Sequence, residues 1–112
     1  MKYLLRMLFL ILLGGINLQA GAGWTGEGKI TGIYVLNEKT ALIKLSKFTN
    51  PHNCSVNQSG DVYLDPSANK SWYSALLSAY MGGKTVDIYV GPSCKDIWAG
   101  TSYATIGHVR LK

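Results

Sequence analysis

The chain is short, mildly basic and sparsely charged. Its 112 residues carry a formal net charge of +5 at pH 7, and 47% of them are hydrophobic whereas 15% are charged. This length favours a single domain. The basic residues are spread along the chain and do not form the clusters that nucleic-acid recognition requires, so the composition argues against a nucleic-acid partner.

Residues 1–22 have the pattern of a cleaved secretory signal peptide. Two basic residues precede an apolar run at 7–16. Ala20-Gly21-Ala22 supplies the small residues of a cleavage site, and Leu18-Gln19-Ala20 is nearly as good, so the cut is expected after Ala22 or Ala20. The apolar run has about half of the roughly 20 residues that a membrane span needs. We therefore expect a secreted or periplasmic protein without stable membrane insertion. Its mature domain, 23–112, keeps a formal charge of +3, which is +5 less the two basic residues.

The first part of the mature chain predicts a flexible lead-in and a β-hairpin. Residues 21–28 are rich in glycine, which favours an irregular lead-in. Residues 29–36 are rich in isoleucine, threonine, tyrosine and valine and predict a strand, and 40–45 predict the returning strand after the turn at 37–39. Leu42 breaks the alternation of the second strand, as happens in curved sheets that carry apolar residues on both faces.

The middle of the chain predicts a loop, a short strand and the one clear helix. Residues 46–60 have little strand or helix character, and Asp61-Val62-Tyr63-Leu64 predicts a third strand. Asp65-Pro66-Ser67 favours the start of a helix that runs to about Met81 and ends at Gly82-Gly83. An apolar stripe at helical spacing predicts the face toward the core: Tyr73, Leu76, Leu77 and Tyr80, with Trp72 beside them.

The last part of the chain predicts two further strands. Residues 84–90 alternate apolar residues with polar or aromatic ones, which is the clearest strand pattern of the sequence. Gly91-Pro92-Ser93 is expected to end this strand, 95–103 to form a loop, and 104–111 to form the last strand. The complete order is β-β-β-α-β-β, a mainly β chain with one helix.

Cys54 and Cys94 predict one disulfide bond. They are the only cysteines, so a single intramolecular pairing exists, and an oxidising compartment lets it form. A metal site would need more ligands at short spacing, and only His52 lies near a cysteine. The chain-entropy model assigns about 4 kcal/mol to a closed loop of about 40 residues. That is a large share of the about 5–15 kcal/mol by which a domain is stable.

Catalytic and metal-binding groups are scarce in the sequence. Two histidines, His52 and His108, and six acidic residues show neither a phosphate-binding loop nor a paired-histidine metal motif. We therefore expect no enzyme, no cofactor and no metal. The aromatic residues outside the predicted core form the candidate ligand or partner surface: Trp24, Trp98 and Tyr103, with Tyr34, Tyr63 and Tyr89 as a second group.

The element order resembles that of the OB-fold, a small five-stranded Greek-key barrel. The helix-then-strand segment 71–89 is similar to that of the B subunits of bacterial toxins that assemble as pentameric rings. Over 28–111, the chain more closely resembles small uncharacterised secreted proteins of Gram-negative bacteria. In these, Asn50-Pro51 with Cys54, a helix ending before Gly83-Lys84, and a strand followed by Cys94 recur in the same order.

These resemblances imply a binding function. The OB-fold binds oligosaccharides and oligonucleotides, and similarity to the toxin B subunits implies glycan binding and assembly into a homo-oligomeric ring. We expect a non-catalytic binding module with a small OB-like barrel and one disulfide, with a glycan as the first candidate ligand. The alternative is a structural or assembly partner in a bacterial envelope or toxin complex.

Overall fold

The computed structural model describes residues 22–49, 54 and 61–112. Within this part the chain has six strands and one helix. In chain order they are β1 (Gly23–Trp24), β2 (Gly28–Asn37), β3 (Thr40–Leu45), β4 (Asp61–Leu64), α1 (Lys70–Gly82), β5 (Thr85–Asp96) and β6 (Ser102–Leu111). Of the predicted signal peptide only Ala22 is described, so that interpretation stays a prediction, and His52 lies outside the described residues.

Five of the strands form a ring of hydrogen-bonded neighbours. β2 pairs with β3, β3 with β4, β4 with β6, β6 with β5, and β5 pairs in turn with β2. The pairing of β4 with β6 is parallel and the others are antiparallel. The prediction of a mainly β chain with one helix is confirmed. The strand count is six and not five, because β1, which pairs with β5, lies in the stretch that was predicted to be a flexible lead-in.

Alternation along the strands builds the core on the inner side of the ring. Ile33, Ile43, Val62 and Ala104 lie opposite one another across β2, β3, β4 and β6. Residues that are paired in this way project from the same face of a sheet, and the last three of them are fully buried. β5 adds its apolar set to the same core: Val86, Ile88 and Val90.

The helix begins at Lys70, five residues later than predicted. Oδ1 of Asp65 accepts hydrogen bonds from the N–H of Ser67 at 2.9 Å, the N–H of Ala68 at 3.1 Å and the hydroxyl of Ser67 at 2.7 Å. A local side-chain turn of this kind competes with helix formation for the same amides, so the prediction that Asp65 starts the helix is wrong. The predicted end is close, since Gly83 follows the helix with a left-handed φ of 64°.

Only part of the predicted apolar stripe of α1 faces the core. Leu76 is buried together with Ala79, and Trp72 and Tyr73 pack against the core from one side. Leu77 and Tyr80, which belong to the predicted stripe, are exposed together with Met81. The helix therefore contacts the ring of strands through the side of the stripe that includes Trp72 and Leu76, and the side that includes Tyr80 is exposed to solvent.

β5 and β6 are longer than predicted and form a hairpin with the short connection 97–101. Gly91-Pro92-Ser93 does not end β5, which continues to Asp96. The register of β5 against β6 is irregular between Val90 and Cys94. Such an irregularity accommodates Pro92, because proline has no N–H to donate and occurs in strands at bulges and edges.

The predicted disulfide between Cys54 and Cys94 is present. The two Cα atoms are 5.7 Å apart, and neither cysteine is free. Cys54 is buried in the core, whereas Cys94 is exposed on β5. A disulfide of this kind indicates an oxidising, extracytoplasmic compartment. In the described part of the chain, no helix combines the length and apolar character that crossing a membrane requires.

A β-bulge joins β1 to β2. Trp24 lies opposite Tyr89 and Gly28 lies opposite Val86, so four residue steps on one side face three steps in β5. Gly26 lies in this bulge with a φ of 94°, a left-handed value that glycine adopts without strain. β1 and β2 therefore run along β5 as one interrupted strand.

Side chains complete the hydrogen bonding at the bulge. The N–H of Thr25 donates to the carbonyl of Ile88 at 2.8 Å, and the N–H of Ile88 donates to the hydroxyl of Thr25 at 3.2 Å. The N–H of Gly26 donates to Oδ1 of Asp87 at 3.0 Å. Thr25 and Asp87 are buried, where an N–H without an acceptor is costly. These bonds attach β5 to the interrupted strand where regular pairing stops.

Replacing both cysteines by serine, Cys54→Ser with Cys94→Ser, is expected to lower the free energy of unfolding by about 4 kcal/mol, because the unfolded chain regains the freedom of a loop of about 40 residues. Urea unfolding monitored by fluorescence measures the change. Reduction of the wild-type protein should give the same loss, and reductant should not affect the double variant. Equal stability of the oxidised wild type and the double variant would contradict the expectation.

Thr25→Val is expected to lower the free energy of unfolding by about 1–3 kcal/mol, because it leaves the buried N–H of Ile88 without an acceptor at nearly constant side-chain volume. Thr31→Val is the matched control, since the hydroxyl of Thr31 bonds an exposed carbonyl that water can satisfy. Urea unfolding of both variants decides the point. Equal losses in the two variants would show that the hydroxyl of Thr25 has no special role.

Candidate functional site

An outward row of side chains crosses β2, β3, β4 and β6. Tyr34 lies opposite Leu42, Leu42 opposite Tyr63, and Tyr63 opposite Thr105. This row is one residue along from the buried row that includes Ile43, so it projects from the outer face of the ring. Leu42 is nevertheless buried. Other side chains must therefore cover the outer face at this point.

The cover consists of aromatic side chains, which we call the aromatic surface: Tyr34, Tyr63, Trp98 and Tyr103. The rings of Tyr34 and Trp98 lie 6.4 Å apart between centroids and only 26° from parallel. Trp98 meets Tyr103 nearly edge to face at 6.2 Å. Tyr34 and Trp98 are 60% and 45% exposed, whereas Tyr103 is 5% exposed. The exposed ring of Trp98 thus contacts the exposed ring of Tyr34 and the buried ring of Tyr103.

Hydrogen bonds within the β5–β6 connection hold Trp98 in place. The hydroxyl of Thr101 accepts a hydrogen bond from the N–H of Trp98 at 3.1 Å and donates to the carbonyl of Trp98 at 2.9 Å. The N–H of Thr101 donates to the same carbonyl at 3.0 Å. An open cavity of about 530 Å³ follows this connection and is lined by residues 96–102. Trp98 therefore lies in a hydrogen-bonded turn next to a surface depression.

Charged groups border the aromatic surface. Nζ of Lys44 lies 3.6 Å from Oδ1 of Asp61, and both residues line a second depression of about 310 Å³ next to Tyr34. On the other side, Nζ of Lys95 lies 5.7 Å from the ring centroid of Tyr63, within the range of a cation–π interaction. The surface thus combines flat apolar rings with hydrogen-bonding groups at its margin.

Two phenol groups of the surface hold their protons more tightly than usual. Burial raises the pKa of Tyr63, and the negative charge of Asp65 raises it further. Burial also raises the pKa of Tyr103, to which the charge of Asp61 contributes. The hydroxyl of Tyr63 donates to the carbonyl of Lys39 at 3.0 Å. Both phenols are therefore neutral hydrogen-bond donors over the whole physiological range.

The carboxylate of Asp65, near Tyr63, is held in its charged form. Its hydrogen bond with the hydroxyl of Ser67 is the main cause that lowers the pKa of Asp65. The backbone N–H groups of Ala68 and Ser67 lower it further, whereas desolvation opposes them. Asp65 therefore provides a fixed negative charge and is not a proton donor near neutral pH.

The structure brings together two of the three aromatic residues that were predicted first. Trp98 and Tyr103 belong to one surface, although Tyr103 supports Trp98 from below and does not expose its own ring. Trp24 is 37% exposed and lies elsewhere, on β1, where its ring meets that of Tyr89 at 5.4 Å. Tyr34 emerges as the main partner of Trp98. The strand register, which the sequence does not show, is what joins them.

The histidine that the structure describes lies among aromatic rings. The ring of His108 is 4.7 Å from that of Tyr89 and 6.0 Å from that of Trp24. Within residues 22–49, 54 and 61–112, no three histidine, cysteine or acidic side chains come together in a way that could hold a metal ion. The expectation of a non-catalytic protein stays a prediction.

Comparison of the chain with models of known protein families, with curated proteins and with solved structures finds no match. The resemblance to toxin B subunits and to small secreted bacterial proteins therefore stays a prediction. Function has to be inferred from the surface of the chain itself.

The stability of the protein is expected to fall at alkaline pH because of Tyr63 and Tyr103. In the unfolded chain these groups ionise near pH 10, whereas the folded protein keeps them protonated to higher pH. Their contribution is thus complete below about pH 10 and is lost as the pH rises through the raised folded pKa values. Urea unfolding between pH 8 and 11.5 measures the decline.

The variant Tyr63→Phe with Tyr103→Phe should show a shallower alkaline decline than the wild type when each is referred to its own stability at pH 8. Absorbance of tyrosinate near 295 nm should show two fewer late-titrating groups in the folded variant. Identical declines in the two proteins would contradict this expectation.

Proposed function

We propose that the protein is a secreted or periplasmic, non-catalytic binding module that binds a glycan on the aromatic surface. The observation that carries the proposal is the pair of Tyr34 and Trp98, two exposed and nearly parallel rings on the outer face of the ring of strands. A sugar ring has apolar C–H faces and a hydroxyl edge. Flat aromatic faces bordered by charged groups match that chemistry.

We further propose that the ring of strands is a small OB-like barrel. The connectivity supports this, because the five strands close a ring in the order β2-β3-β4-β6-β5 and the helix lies in sequence between the third and fourth of them. OB-folds bind ligands on the face of strands 2 and 3 and on the loops 1–2 and 4–5. Counted from β2, Leu42 and Tyr63 lie on strands 2 and 3, and Trp98 lies in loop 4–5.

The polar margin supports a carbohydrate in preference to a purely apolar ligand. Lys44 and Asp61 lie next to Tyr34 and provide one charged donor and one charged acceptor. Charge-assisted hydrogen bonds of this kind are stronger than neutral ones and are suited to the hydroxyl groups of a sugar. The buried ring of Tyr103 contacts the ring of Trp98 and supports its orientation.

A structural or assembly role is the second candidate, and one observation favours it. Leu77, Tyr80 and Met81 are exposed on α1 at positions that neighbour one another on a helix. Exposed apolar patches of this kind are typical of contacts between proteins. Size-exclusion chromatography with light scattering distinguishes the two: a stable oligomer supports the assembly role, and a monomer counts against it.

Trp98→Ala is expected to weaken glycan binding about fivefold or more, because stacking of a planar ligand ring on one aromatic side chain contributes on the order of 1–3 kcal/mol, as it does for nucleic-acid bases. A glycan array with the oxidised protein identifies the ligand, and titration calorimetry measures its affinity for each variant. Tyr34→Ala should produce a loss of the same kind, and Trp98→Phe should restore part of the binding.

Trp24→Ala is the matched control for a neutral glycan, since Trp24 is the other exposed tryptophan of the described residues and lies away from the aromatic surface. It should leave the affinity within twofold of the wild type. Circular dichroism confirms that each variant is folded. The absence of any bound glycan, or equal losses in the variants at positions 98 and 24, would contradict the proposal.

A further inference from the structure

A second outward face, on β1, β2, β5 and β6, brings Lys29 of β2 close to basic residues near the end of the described chain. Within β5, Thr85, Asp87 and Tyr89 project from the outer side. Lys29 lies opposite Thr85, Arg110 opposite Asp87, and His108 opposite Tyr89. Paired residues share a face, so these three basic side chains lie together, and Lys112 follows Arg110 at the same alternation. We call this set the basic strip: Lys29, His108, Arg110 and Lys112.

Aromatic stacking fixes the cationic centre of the basic strip. The guanidinium carbon of Arg110 lies 4.2 Å from the ring centroid of Trp24. The ring of Trp24 contacts that of Tyr89, which in turn contacts that of His108. The distance from Arg110 to Trp24 is within the range of a cation–π interaction. A planar guanidinium group can bind a carboxylate or sulfate in bidentate fashion.

The acidic groups of this face are already engaged. Oδ1 of Asp87 accepts the N–H of Gly26 at 3.0 Å, and Asp87 is buried. Glu27 forms an ion pair with Lys112 at 3.0 Å. Lys29 and Arg110 form no ion pair with any residue in the described part of the chain. Two exposed cations are thus left without a carboxylate partner there.

We propose that the basic strip binds an acidic polysaccharide, a carbohydrate chain with repeated carboxylate or sulfate groups. His108, Arg110 and Lys112 are spaced by two residues, which is about 7 Å along a strand. An extended polyanion can contact Arg110 in this row and Lys29 across β5, the two cations of the strip without a carboxylate partner in the described part of the chain. Arg110 is the group that binds a carboxylate or sulfate in bidentate fashion. The rings of Trp24 and Tyr89 provide flat faces beside the row for the sugar rings.

Two other anionic partners fit less well. A membrane surface recruits clusters of about four to eight lysine and arginine residues, whereas the strip has three with one histidine. The disulfide Cys54–Cys94 indicates an extracytoplasmic compartment, where extended acidic carbohydrates are available to a protein and nucleic acid is not the resident polymer. The strip shares no residue with the aromatic surface, so this proposal goes beyond the proposed function and is independent of it.

The test measures the affinity of the oxidised protein for polygalacturonate and heparin at 50 mM and 300 mM NaCl. Dextran serves as the neutral polysaccharide, a DNA duplex as another polyanion, and vesicles with 30% phosphatidylglycerol as an anionic membrane. Binding to at least one acidic polysaccharide is expected, with a loss of about tenfold or more at the higher salt concentration. No binding at 50 mM NaCl, or tighter binding to DNA or vesicles, would overturn the proposal.

Arg110→Gln is expected to weaken binding about tenfold, and Lys29→Gln about threefold. Lys29 provides the second test because its hydrogen bonds are made by its backbone, which the substitution keeps, and its side chain forms no ion pair with any described residue. Lys70→Gln, on the helix, removes the same charge away from the strip and should change the affinity by less than twofold. Equal losses in all three variants would indicate attraction to net charge alone and overturn the proposal.

Trp98→Ala separates this proposal from the proposed function. It should leave the affinity for acidic polysaccharide unchanged, whereas Arg110→Gln should leave binding of a neutral array ligand unchanged. If Trp98→Ala abolished binding of the acidic polysaccharide, both ligands would use the aromatic surface and the basic strip would not be a site.

Discussion

The closure of the ring between β2 and β5 is the contact on which the structure depends. Regular pairing there consists of only two residue pairs, Gly28 with Val86 and Lys29 with Thr85. The bulge lengthens this seam, because Thr25 and Asp87 supply the acceptors that a displaced backbone would otherwise lack. Without the seam the sheet would be an open ribbon whose inner apolar face contacted water. The hydroxyl of Thr25 and the carboxylate of Asp87 thus accept hydrogen bonds that backbone carbonyls accept in a regular strand pair.

Because the ring is closed, each of its strands has one face toward the core and one face on the outside. The inner face of β3 fills the core with Ile43, whereas its outer face carries Leu42, which is buried under the aromatic surface. Apolar residues on both faces, which look like an imperfect strand pattern, are what an inner core and an outer aromatic surface require together. The same alternation in β5 and β6 sets Val90 inward and places Tyr89 and Arg110 outward. The core and both outer surfaces therefore depend on the same period of two.

Local patterns in the sequence were sufficient for the existence of five of the six described strands, for the helix and its end, and for the disulfide. They failed where two local signals compete, as at Asp65, whose side chain closes a turn that resembles a helix start. They also failed where the answer depends on register. Trp24 and Trp98 have similar surroundings in the sequence, yet β1 places one beside Arg110 and the β5–β6 turn places the other beside Tyr34. Pairing between strands that are distant in the sequence determines which residues meet on each surface. Local sequence patterns do not show this pairing.

The pairing of Trp24 with Tyr89 also has a kinetic consequence. These partners are separated by most of the domain, so the seam raises the contact order, and proteins with many such distant pairings fold slowly. During synthesis the first strand has no partner until β5 has been made, and its edge stays open to other chains in the meantime. The hairpin of β2 and β3 needs only neighbouring residues, whereas the seam at Thr25 cannot form until β5 is available.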